Sequence, residues 1–207
     1  LGNPQFVFGG NDPIPASRWW FVSADDYNLI QVQENFFARN WRRMTLAPDP
    51  GGEYPGFDVV RADFDRHLSA LLKKRELAVS EAIKPVAVEL LYDNMIHLAP
   101  HGEPLRLSDV FEPIQFSDGR LRHGMQMVWL EKFEGGTGVQ NAQLQVAFAA
   151  IGAAVGGGVA RPFAKLTLTA RASVHDWSSV PEFFDRAHDF ASERLASLTT
   201  DTIRATW

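Results

Sequence analysis

Leu166, Leu168, Ala170, Ala172 and Val174 interleave without a break with Lys165, Thr167, Thr169, Arg171 and Ser173. Successive side chains of a strand point to opposite faces, so this period of two demands a sheet with one apolar and one polar side. Parallel strands buried on both faces read instead as unbroken apolar runs, so the pattern favours an antiparallel sheet. Two more stretches obey the same rule. Ile30 and Val32 alternate with Gln31 and Gln33, and Val86, Val88, Leu90 and Tyr92 alternate with Glu89 and Asp93 in a strand ending near Leu98.

Arg18 to Val22 is aromatic and β-branched, and Asp25-Asp26-Tyr27-Asn28 supplies turn chemistry, so 18–41 reads as a hairpin whose second strand runs on toward Trp41. Gln5 to Phe8 reads as a short edge strand. Further strands are expected at about 121–134, 142–151 and 162–175, joined by glycine-rich loops. Phe57, Val60, Phe64, Leu68, Leu71 and Leu72 recur at three- and four-residue steps, one stripe of an amphipathic helix. A second helix carries Phe183, Phe184, Ala187, Phe190, Ala191, Leu195 and Leu198, and Ser179 and Glu182 have capping-box spacing at its start. A short helical turn is expected at Ser108 to Phe111.

Strands, helix, strands, helix is an α+β order. The expectation is a single domain over 1–207 in which both long helices cover one face of a mostly antiparallel sheet of about six to seven strands. Each half, about 1–80 and 84–207, reads as a hairpin-rich unit followed by one long helix, a pseudo-equivalence of element order without the sequence identity of a repeat. The alternative is a helix-grip-like curved sheet around a cavity.

Composition narrows the chemistry. The 207 residues include no cysteine, which excludes disulfides, thiolate metal sites and a cysteine nucleophile, and which suits a reducing cytoplasm. The net charge of −5 argues against a nucleic-acid partner, since phosphate binders carry basic patches. Leu1 stands where a start codon would place methionine, so sequence upstream is expected; residues 1–20 show no basic stretch followed by an apolar run, and no signal peptide is expected. The weakly polar stretch Val146 to Ala160 is too short for a membrane span of about 20 residues.

Arg18-Trp19-Trp20-Phe21, Ile30-Gln31-Val32-Gln33, Asn40-Trp41-Arg42, Tyr54-Pro55 and Glu89-Leu90-Leu91-Tyr92-Asp93-Asn94 together resemble the signatures of a sporadically distributed, uncharacterised family of bacterial and archaeal proteins. The tail, with Thr199-Thr200 and Trp207, is similar too, although Asp93 stands where that family has a small or polar residue. The resemblance implies no reaction, cofactor or catalytic residue. Patchy distribution implies an accessory or defence-related gene set.

Motifs for phosphate loops, dinucleotide folds and nucleophile elbows are absent. His97, His101 and Glu103 straddle Pro100, so helical metal-ligand spacing does not apply; no metal and no cofactor is expected. Glu89 and Asp93 lie four apart on a strand, roughly 13 Å, too far for a carboxylate dyad. What remains is the sheet's polar side, which would gather Gln31, Gln33, Glu89, Asp93, His97, Gln126, Gln143, Gln145, Lys165, Thr167, Thr169 and Arg171. Glutamines donate and accept, and lose less on desolvation than charges do. Trp19 and Trp20 are adjacent on a strand, so one indole must leave the main core, as interface anchors do. Asn40, Trp41, Arg42 and Arg43 with Tyr54 form a candidate anion-binding corner. The expected binding residues are therefore Trp19, Trp20, Gln31, Gln33, Asn40, Trp41, Arg42, Gln126, Gln143 and Gln145.

The expected function is a non-enzymatic interaction protein that holds a partner or a second copy of itself. One alternative is a small-ligand module, with Ala147, Ala149, Ala150, Gly152 and Ala153 leaving room for an apolar cavity. The other is an enzyme with His175 or His97 as general base.

Overall fold

The computed structural model describes residues 18–42, 53–76, 83–97, 110–111, 126–153 and 161–204. The expected strand at Gln5 to Phe8 and the residues His101 and Glu103 lie outside them, as do the first two residues of the turn expected at Ser108 to Phe111. The chain divides into two compact units, Leu1–Ile83 and Lys84–Trp207. Instead of one sheet of six to seven strands, the described strands form two antiparallel sheets of three and four strands. Each long helix packs on the strands of its own unit: α1 (Phe57–Glu76) on the first, α2 (Ser179–Leu198) on the second.

In the first unit, β1 (Trp19–Val22), β2 (Asn28–Gln33) and β3 (Phe36–Trp41) form a meander in that order. The single strand expected from Leu29 toward Trp41 is thus two, folded at Glu34-Asn35 with Gln33 opposite Phe36. The register places Trp19, Phe21, Ile30, Val32, Phe37, Arg39 and Trp41 on one face. That face receives α1: Phe37 packs its ring 5.3 Å from Phe64, and Leu68, in the middle of the expected stripe, is buried.

In the second unit, β4 (Ala87–His97), β5 (Gln126–Lys132), β6 (Val139–Ala153) and β7 (Arg161–Val174) are ordered β4-β7-β6-β5. The long alternation from Lys165 to Val174 lies in β7, an inner strand of this sheet. Its Leu166, Leu168, Ala170, Ala172 and Val174 are buried with Leu144, Val146 and Phe148 of β6 and Val88 and Ile96 of β4. The apolar stripe of α2 closes this core. Phe183, Phe184, Ala187 and Ala191 are buried, and Phe190 stacks on Phe133 at 5.1 Å. A register shift between Gln140 and Gln143, with Asn141 at φ 54°, inserts one residue into β6. That bulge reverses the alternation, so Gln140 and Gln143 both turn away from α2.

The capping box is not made. Asp176 accepts the Ser178 N–H at 2.7 Å, and Glu182 reaches instead across to the β5–β6 loop, accepting the Thr137 N–H at 2.9 Å. Both carboxyls are held below their ordinary range, chiefly by those backbone donors. Gly136 is required here: its φ is 104°, and a Cβ would stand 2.6 Å from the Glu182 side chain. Beyond α2, Phe111 bridges to Thr199 and lies edge-on to Phe148 at 4.5 Å, and the short helix α3 (Asp201–Arg204) buries Ile203.

Candidate functional site

The strand register of the second unit fixes which residues share the face away from α2. Across β4, β7, β6 and β5 the rows are Glu89–Arg171–Gln143–Lys132, Leu91–Thr169–Gln145–Leu130, Asp93–Thr167–Ala147–Val128 and Met95–Lys165–Ala149–Gln126. Its charges are largely answered within the face. Arg171 pairs with Glu89, while Asp93 receives Lys165 at 2.8 Å and the Thr167 hydroxyl at 2.8 Å. The two carboxylates therefore hold cations and do not act together.

Leu91 and Met95 on β4, and Val128 and Leu130 on β5, are exposed. None of the four is among the binding residues expected from the sequence, because an apolar side chain in a strand carries no mark of its own exposure. The result is two apolar rails about 14 Å apart, at three strand spacings, with a polar centre between them. Thr169 in that centre is only 5% exposed. Gln126 and Gln143 are exposed and Gln145 is half-buried on this same face. Gln31 and Gln33 belong to the other sheet, so the amides do not share one sheet face as expected. Ala147 and Ala149 also lie on this outer face, away from α2, and so do not line a cavity beneath that helix.

In the first unit, Trp19 and Trp20 are both exposed on edge strand β1, and Gln31 is half-buried opposite Trp20. Gln33 accepts from Arg18 at 3.1 Å. Of the expected anion-binding corner, Arg43 lies outside the described residues, while Arg42 pairs with the Asp26 carboxylate and donates to the Asp26 carbonyl at 3.1 Å, tying down the β1–β2 turn. Trp41 stacks on Tyr27 at 6.4 Å and meets Tyr54 edge-on at 5.3 Å. Asn40 contributes its carbonyl to Arg39.

Arg39, in the sequence only one member of a basic cluster with Arg42 and Arg43, is an enclosed charge of this unit, its side chain 6% exposed. It donates to Asp63 at 2.6 Å and to the Asn28 amide oxygen at 2.7 Å, as well as to the Asn40 carbonyl. Asp63 also accepts from Arg66. Burial alone would raise the Asp63 carboxyl, but the bonds from Arg66 and Arg39 outweigh it and hold the group below its ordinary 3.8. A depressed carboxyl stabilises the fold above the unfolded-state value and loses that contribution as pH falls through the folded value. Acid titration of unfolding should therefore show a stability loss beginning near pH 3.8 that Asp63→Asn removes, the two proteins converging at lower pH. A wild-type acid limb unchanged by that substitution would contradict the assignment.

A groove of about 640 Å³ opens beside this pair, lined among others by Asp25, Tyr27, Asn28, Arg39, Trp41 and Asp63. On its lining Asp25 accepts from the Ser23 hydroxyl and the Tyr27 N–H, and Asp63 takes both Arg39 and Arg66. Glu53 lines it as well.

His97, one of the two general-base candidates, ends β4, and its side chain lies outside the described residues. His188 meets Tyr92 Oη at 2.7 Å between α2 and β4, and His175 is exposed while its neighbour Asp176 serves the start of α2. Among the described residues no cluster of three or more metal-ligating side chains occurs, and no helix is long and apolar enough to cross a membrane. No protein-family profile, curated protein or solved structure matches the chain.

Proposed function

We propose that this chain is a binding protein that holds a protein partner against the outer face of its four-stranded sheet. The observation that carries this reading is the exposure of Leu91, Met95, Val128 and Leu130 on a face where Lys165 and Arg171 are already paired with Asp93 and Glu89. An antiparallel sheet with one solvated side should alternate apolar-in and polar-out. Four large apolar side chains on the polar-out positions break that rule at a cost in solubility. Paired charges and amides between the rails reduce the desolvation penalty of covering the centre, while Gln126, Gln143 and Gln145 supply both donors and acceptors. Four strands by about eight residues project roughly 500 Å². That is below the ~800 Å² per partner of a standard interface, which fits a modest, reversible contact.

The test is to recover the partner from the native host with the wild-type chain, then repeat with Val128→Lys/Leu130→Lys. The account expects the same polypeptide to be lost or weakened by about tenfold or more, with the melting temperature shifted by no more than about 2 °C, as for surface changes. Retention of the partner by the double variant would overturn it.

A further inference from the structure

The strand β1 presents a second, separate surface, on the first unit, which goes beyond the reading above. It lies at the edge of its sheet, and among the described residues only β2 pairs with it. Trp19, Trp20, Phe21 and Val22 are 64%, 58%, 58% and 46% exposed. Natural edge strands are commonly blunted by charge, proline or a bulge. The span 19–22 has none of these; its shortness is its one protection. Trp19 and Phe21 share the face that carries Val32 and Ile30, while Trp20 and Val22 lie on the other, so both sides of the edge are apolar. A run of four exposed apolar residues is a liability unless something covers it.

We infer that β1 pairs antiparallel with β1 of a second copy of this chain, joining two three-stranded sheets into one of six. The strand is complementary to itself. About a two-fold axis perpendicular to the sheet, Trp20 stands opposite Trp20 of the second copy. Trp19 then stands opposite Phe21 of the second copy, and Phe21 opposite its Trp19. In this register opposed residues lie on matching faces, as antiparallel pairing requires, and the aromatic pairs fall within cross-strand reach. Arg18 falls opposite Val22, so no like charges meet. Taking about 150–250 Å² for each large side chain and the measured exposures, the four residues present roughly 500 Å² per copy. Two copies bury up to about 1,000 Å², the floor for a specific interface, so the dimer is weak and concentration-dependent.

Sedimentation velocity over a concentration series of the full chain tests this. Wild type should pass from monomer to dimer as concentration rises. Trp20→Lys sets two ammonium groups opposite each other and should weaken association by at least about tenfold, as should Trp20→Glu. An equimolar mixture of Trp20→Lys and Trp20→Glu should recover a heterodimer, and Trp20→Phe should remain dimeric. Far-UV circular dichroism establishes that each variant is folded. A wild type that stays monomeric at several hundred micromolar, a dimer indifferent to Trp20→Lys, or folded variants whose mixture does not associate would each overturn the inference. Val128→Lys/Leu130→Lys should leave this dimer intact, so failure here and failure of the sheet-face reading are told apart.

Discussion

Phe183→Ala should lower the unfolding free energy by about 3–5 kcal/mol, the usual cost of truncating a fully buried phenylalanine. Phe183 is completely buried on α2, its ring 6.1 Å from Phe133 and 5.6 Å from Phe184. These two rings belong to the β5–β6 loop and to the same helix, and neither can fill the space without a shift of the element that carries it. The loss combines apolar surface no longer removed from water with contacts that surrounding side chains forfeit around the void. Urea unfolding should show a lower midpoint at unchanged slope. Exposed Val128→Ala, in contrast, should fall within about 0.5 kcal/mol of wild type. A loss below about 1 kcal/mol for Phe183→Ala would mean that α2 does not close the core of the four-stranded sheet.

Arg39→Ala is expected to cost about 2–3 kcal/mol through a different mechanism. Removing one partner of an enclosed ion pair leaves the other uncompensated, typically at 3–5 kcal/mol. The lower figure applies because Asp63 is 23% exposed and keeps Arg66. The Asn28 amide oxygen and the Asn40 carbonyl also lose their donor. Lysine should recover less than about half, since a single ammonium cannot reproduce a planar fork that spans three acceptors. Equal stability of Arg39→Lys and wild type would show that only the charge matters and that the fork geometry does not.

Alternation and helical stripes were legible in the sequence because they follow from the backbone's own periods. The buried residues of β7 and the stripes of α1 and α2 lie where spacing alone puts them. Strand partnership was not legible. A period of two tells which face a residue occupies but not which strand lies beside it, and so the three-stranded and four-stranded sheets merged into one. The Glu34-Asn35 turn escaped because it lacks the Asn-Gly or Asp-Gly chemistry that marks a two-residue hairpin. The bulge at Asn141 left no composition cue, although it decides that Gln143 and Gln145 face outward. Arg39 reads as an ordinary charge on a strand; only the fold reveals Asn28 and Asp63 around it. The apolar rails were hidden for the opposite reason, as leucine and valine in a strand are assigned to the core by default.

The outer sheet face is tested most directly by methyl NMR of the chain titrated with its recovered partner. The account predicts shifts and broadening at Leu91, Met95, Val128 and Leu130, with Val146, Leu166 and Leu168 beneath α2 little changed. Perturbation confined to the buried methyls, or to the first unit, would contradict it.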